Sequence, residues 1–298
     1  MAILEIFSSN VKYKYKTSIC SSSALLVLFL SILTLLLPLI IVYHTGGFWL
    51  KNAVYMEKPN VIFKQKYLLL AERQFDALPI TCSTFTVYKE NPIKDDCQLV
   101  KVYEVDENKD GQKDILKFEA HFYTDLPLRF IRLLLFFNYE LTQYIALTME
   151  TVVVFDYPIT QDVQEVHFNG QLKLQQKTLL RENGLQNFYN RSMELEDRPL
   201  SDFISENENR KFAAKITNTR VTWQAGFSKT EKFVIRGIIF YSEDSIQYQP
   251  GFWQELKWAW IQYISILLIF IFLEKRILEY MFTHRYLRSY TIVPWEIK

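Results

Sequence analysis

Two stretches of the chain lack the short-range alternation of apolar and polar positions found elsewhere in it. Between Lys16 and Lys51 no Lys, Arg, Asp or Glu occurs, and an apolar run begins near Ser22 and continues to Val42 and Tyr43. From Trp258 to Leu273 the chain is again uncharged. Phe252, Trp253, Trp258, Trp260 and Tyr263 supply amphipathic rings at headgroup level, and Lys257 can snorkel outward. A hydrocarbon core of roughly 30 Å takes about 20 helical residues to cross. The pattern therefore predicts membrane-spanning helices over 22–43 and 252–273. The first run is longer than the apolar core of a cleavable signal peptide and reads as an uncleaved anchor. Pro38 within it removes one helical hydrogen bond, a defect that membrane helices tolerate.

Between these runs the period drops to two. Val61 to Ala71, Cys82 to Tyr88, Leu99 to Val105, Ile115 to Tyr123, Ile131 to Leu141 and Tyr144 to Phe155 read as strands rich in β-branched and aromatic residues. Val163 to Phe168, Gln171 to Lys177, Ile216 to Gln224 and Phe233 to Tyr241 extend the series. The unbroken apolar run Leu133 to Phe137, bounded by Arg132 and Glu140, is too short to span a bilayer. It reads as a strand buried on both faces. Residues 44–251 are expected to form a large, mainly β domain, an antiparallel sandwich-like fold with a short helix near Ser201 to Ala214.

Charge orients the molecule. The net charge of +1 over 298 residues is not that of a basic nucleic-acid binder. Its distribution is uneven, with +2 in residues 1–16, +2 in 274–298 and −3 between them. Lys12, Lys14 and Lys16 precede the first span, and Lys275 and Arg276 follow the second. The positive-inside rule then makes 1–21 and 274–298 cytosolic and the β domain exoplasmic.

Candidate chemistry is sparse. Cys82 and Cys97 fall in the segment expected to lie in an oxidising compartment and are a candidate disulfide. Cys20, beside the lysine cluster, is a candidate for palmitoylation. Asn190-Arg191-Ser192 is a glycosylation sequon on the expected exoplasmic side. Asp106, Asn108, Asp110, Gln112 and Asp114 resemble the first half of an oxygen-ligand Ca2+ loop, with Gly111 at its turn. Lys117, however, stands where such a loop places its bidentate Glu, and a solvated turn built from the same residue types is the other reading. Catalytic and phosphate-binding motifs are missing, and His121 and His167 are isolated in strand-like segments, so an enzyme is not expected. Gln262 and Ser265, one helical turn apart in the second span, are candidates for helix packing.

Several longer stretches resemble the transmembrane protein 231 family. They are Leu4-Glu-Ile-Phe-Ser8, Gly47-Phe-Trp-Leu-Lys51, the Asp106 to Asp114 loop, Phe168 to Lys177, Tyr248-Gln-Pro-Gly-Phe-Trp253 and Trp260 to Phe270. Cys82, Cys97 and the tail beyond Arg276 lie outside the resembling pattern. The resemblance implies a non-catalytic component of the ciliary transition zone, in the membrane-associated Meckel syndrome complex, supporting a diffusion barrier and ciliogenesis. Implied partners are tectonic, other transmembrane members and soluble complex proteins. Two other classes share parts of this architecture. One is an accessory subunit of a membrane transporter such as a lipid flippase; the other is a calcium-dependent adhesion receptor.

Overall fold

A computed structural model describes all residues except 1–13, 19–20, 47–49, 75–76, 91–96, 182–188, 190–192, 194, 196–198 and 293–298. The chain begins with β1 (Lys14–Lys16), α1 (Ser22–His44), β2 (Ala53–Glu57), β3 (Asn60–Arg73), β4 (Ile80–Ser83), α2 (Val87–Glu90) and β5 (Cys97–Val105). It continues through β6 (Ile115–Phe122), β7 (Leu128–Leu141), β8 (Leu147–Pro158), β9 (Val163–Gln176) and β10 (Leu180–Arg181). α3 (Leu200–Asn209), β11 (Phe212–Ala225), β12 (Phe233–Tyr241), β13 (Asp244–Gln249), α4 (Phe252–Thr283) and β14 (Tyr290–Ile292) follow. These elements fall into two units, Met1–Lys51 with Gly251–Lys298, and Asn52–Pro250.

The first unit is a helix pair. α1 starts at Ser21, whose hydroxyl accepts the Ala24 amide hydrogen and so satisfies one unpaired donor of the first turn. Ser23, Thr34, Pro38 and Val42 form its buried face, while Leu25, Leu28 and Phe29 on the remainder are exposed. α4 runs past Leu273 to Thr283 and likewise exposes Leu268, Ile269 and Phe272. Both helices are long and apolar enough to cross a bilayer, and their exposed hydrocarbon surface is what lipid would cover. Pro38 lacks the amide hydrogen that the Thr34 carbonyl would accept. One residue on, the Leu35 carbonyl accepts a hydrogen bond from Tyr263 Oη of α4 at 3.3 Å. Beyond the helices, β1 pairs antiparallel with β14, Tyr15 stacks on Phe282, and Ser23 Oγ donates to the Arg288 carbonyl at 2.9 Å.

The second unit has three sheets, ordered β11-β9-β12-β6-β5, β4-β3-β7-β8 and β10-β13-β2. Its main core draws on both larger sheets. Phe155 of β8 and Phe168 of β9, for example, stack with centroids 4.0 Å apart. A second core covers the other face of the four-stranded sheet, where Leu68, Leu134, Phe136 and Val152 meet Phe85, Met193, Leu195 and Phe203 of α3. That double cover explains Leu133 to Phe137, every one of which is buried.

Several elements depart from the expected pattern, among them the strand expected over Cys82 to Tyr88, which ends at Ser83 and is followed by α2. The strands expected over Val163 to Phe168 and Gln171 to Lys177 are one continuous strand, β9, in which a Cβ at Gly170 would overlap the Ile216 side chain of the neighbouring strand. The expected helix over Ser201 to Ala214 stops at Asn209, and Phe212 to Ala214 enter β11 with their side chains buried. The five-stranded sheet is not wholly antiparallel. β12 runs parallel to β9, and β11, which lies between them in sequence, pairs antiparallel with the other side of β9.

Candidate functional site

The residues singled out for chemistry do not converge. His121 and His167 lie on the outer face of the five-stranded sheet, on either side of β12. Each bonds a glutamate two residues away, His121 Nε2 to Glu119 and His167 Nε2 to Glu165, both at 3.0 Å. Arg236 of β12 bridges the two glutamates, contacting Glu119 at 3.0 Å and Glu165 through its Nη1. The His121 bond, followed by Arg236, holds the Glu119 carboxyl below its usual range. This is a solvated ladder of alternating charge, of modest worth to stability. Among the described residues no group of three or more His, Cys, Asp and Glu is placed to hold a metal ion.

The Asp106 to Asp114 loop connects β5 to β6, and its carboxylates are turned onto its own backbone. Asp106 accepts the amide hydrogens of Lys109 and Gly111 at 2.7 and 3.0 Å, and Asp110 accepts that of Gln112 at 2.7 Å. Asn108 Nδ2 donates to Asp110, and Asp114 accepts from the amides of Glu107 and Asn108. Lys58 Nζ reaches in from beside β2, 2.5 Å from Asp114 and 3.5 Å from Asp110. The Lys58 bond depresses the Asp114 carboxyl, and the Gln112 amide depresses that of Asp110. An ammonium group thus lies between two of the carboxylates that would ligate Ca2+, and Gly111 turns in the left-handed region with φ of 89°.

Cys82 of β4 and Cys97 of β5 are joined as a disulfide with Cα atoms 5.6 Å apart. It ties the edge of the five-stranded sheet to the four-stranded one. Nearby, Glu104 Oε1 accepts from the Phe63 amide at 2.9 Å and from Tyr241 Oη at 2.8 Å, a second link between the layers.

A buried polar cluster was invisible in the sequence. Asp244 of β13 lies opposite Glu57 of β2, and both are about 2% exposed. Asp244 Oδ2 accepts from Tyr139 Oη at 2.7 Å and from the Leu174 amide at 2.8 Å, and Lys173 Nζ lies 4.0 Å from Oδ1. Glu57 Oε1 accepts the amides of Thr142 and Gln143 at 2.8 and 2.9 Å. Burial raises the Asp244 carboxyl above its usual range, and burial beside Asp244 pushes the Tyr139 phenol up, keeping it a donor. Only the residue types were legible beforehand, since no spacing links position 57 to 244.

In the helix pair, Gln262 is half-buried, and its Oε1 is enclosed without a hydrogen-bond partner among the described residues. Ser265 is exposed, and its hydroxyl returns to the Ile261 carbonyl of its own helix at 2.7 Å. On the same side of α4, Gln262 is thus the more enclosed of the two and Ser265 the more exposed. Leu39, Leu256, Ala259, Trp260 and Tyr263 line an apolar groove of about 320 Å³ between α1 and α4. Cys20 and Asn190 lie outside the described residues.

Comparison with known proteins supplies what the site does not. Residues 1–291 match the family model described as Transmembrane protein 231. The chain is 34% identical to Transmembrane protein 231 of Xenopus tropicalis over 303 aligned positions, covering 97% of this chain and 96% of that one. It is 33% identical to the Homo sapiens protein of the same name, covering 96% and 93%. A proton-activated chloride channel solved by cryo-EM aligns over 87% of this chain and 96% of that one, with 8% identity and a TM-score of 0.29. That likeness is too low to carry a fold or an activity from one to the other.

Proposed function

Because this chain belongs to the transmembrane protein 231 family, we propose that it is a structural component of the ciliary transition zone, supporting the barrier that controls passage of membrane proteins into the cilium. The observation that carries this reading is the family match over residues 1–291, which spans both long apolar helices and the whole β unit. The molecule is a membrane protein with two long apolar helices and a β unit of three sheets. In this reading the β unit is exoplasmic and both termini are cytosolic, in keeping with the basic residues at the outer ends of both spans. Tectonic, other transmembrane members and soluble Meckel syndrome complex proteins are the partners it implies. The short basic ends suit contact with anionic lipid heads or soluble partners.

Proximity labelling from the full-length protein in ciliated cells tests the proposal. Recovery of tectonic and other transition-zone proteins is the expected result. Recovery of a P-type pump without transition-zone proteins would favour a transporter accessory subunit and overturn the assignment.

A further inference from the structure

β11 lies at one edge of the five-stranded sheet, and its two halves meet different surroundings. Phe212, Ala213 and Ala214 are buried, and the Ala214 amide donates to Thr151 Oγ1 of β8 at 2.8 Å, so the second sheet closes this part of the edge. The register then shifts between Thr217 and Arg220, with Asn218 in the left-handed region at φ of 53°. Past this bulge, Arg220, Thr222, Trp223, Gln224 and Ala225 are all exposed. Arg220 to Gln224 pair with Asn169 to Glu165 of β9 on one side, and no strand among the described residues pairs with them on the other. The opposite sheet edge, β5, is tied down near its two ends by the Cys82–Cys97 disulfide and by Glu104, and carries the charged Lys101 and Glu104.

Natural sheets protect an open edge with charge, proline or brevity. Positions 220–225 contain no proline and a single charge, Arg220, and they hold Val221, Thr222 and Trp223, residues suited to strands. Thr222 follows His167 on the outer face, while Val221 and Trp223 follow the buried Phe168 and Val166 on the core face. Trp223 remains 47% exposed because the core ends beside it. A main-chain edge is satisfied by another main chain, so its natural occupant is an extended strand.

We infer that Arg220 to Ala225 is a strand-addition site for an extended segment of another protein, one with apolar residues at alternate positions and an acidic residue beside Arg220. The alternate apolar residues extend the core layer over Val221 and Trp223. The acid answers Arg220, which has no carboxylate partner among the described residues. The inference holds for the β unit wherever the protein resides, so its test is independent of ciliary location.

The probe is a fluorescent peptide of about six residues alternating valine and threonine, with a glutamate at one end. It is titrated by anisotropy onto the full-length protein in detergent. Saturable binding is expected. Trp223→Ser should weaken it about tenfold at an unchanged melting temperature. Arg220→Glu should weaken the glutamate peptide and favour a lysine-ended one. Equal binding by a peptide N-methylated at every amide, or indifference to Trp223→Ser, overturns the inference. A cross-linked homodimer lost on Trp223→Ser also overturns it, because the edge would then serve a second copy.

Discussion

Asp244 stands directly opposite Glu57 across the β13–β2 pair, with both carboxylates buried and Asp244 held by the Tyr139 hydroxyl. Burial raises the Asp244 carboxyl, with Tyr139, the Leu174 amide and Lys173 opposing the rise in part. The folded chain therefore holds a proton there more tightly than the unfolded chain. Between the ordinary carboxylate pKa and the raised one, stability falls as pH rises. The depressed carboxyls of Asp110, Asp114, Glu119 and Asp125 act oppositely. Their contribution is full above the ordinary value and is lost as pH falls below it. Melting followed from neutral to acid pH should rise slightly through the Asp244 window before it falls. Asp244→Asn should remove the rise and leave the acid loss.

Tyr139→Phe deletes the hydroxyl that donates to Asp244 at 2.7 Å and leaves a buried carboxylate oxygen short of a donor. The expected cost is about 1–3 kcal/mol in urea denaturation at neutral pH. In the Asp244→Asn background the same change should cost less, because the acceptor is then uncharged.

Gly237 lies under the Phe168 ring, which any Cβ at that position would overlap. Phe168 is itself stacked on Phe155 across the layers and has little room to withdraw. Gly237→Ala should therefore destabilise the fold by about 1–3 kcal/mol, the usual range for an overfilled core. An exposed control, Gly111→Asn, should cost much less, since nothing lies within 4 Å of a Cβ there and Asn tolerates positive φ.

How far the sequence was legible depends on how local each cause was. The two helices were readable because freedom from charge over a long run is a local property. So was Leu133 to Phe137, an unbroken apolar strand that requires cover on both faces. β9 was expected as two strands with Asn169-Gly170 between them, whereas the glycine answers Ile216 on another strand. β2 and β13 were missed because each is short and mixes polar with apolar residues beside a span. The Glu57–Asp244 pair and the Glu119–Arg236–Glu165 ladder join strands distant in sequence, and single residues carry no mark of such meetings. The acidic loop was visible as a motif, but Lys58 between its carboxylates was not.

That lysine leads to a prediction for the loop. With Asp106, Asp110 and Asp114 bonded to backbone amides and Lys58 beside two of them, millimolar Ca2+ should leave the melting temperature of the full-length protein unchanged. A rise that Asp110→Ala abolishes would mean that the ion displaces Lys58 and that the loop is a calcium site.

The central claim is a place in the membrane at the base of the cilium, and imaging tests it most directly. A tagged full-length copy, expressed near its natural level in ciliated cells, should form a ring between the basal body and the axonemal membrane. Uniform signal over the endoplasmic reticulum or plasma membrane, with the ciliary base unmarked, would contradict the account.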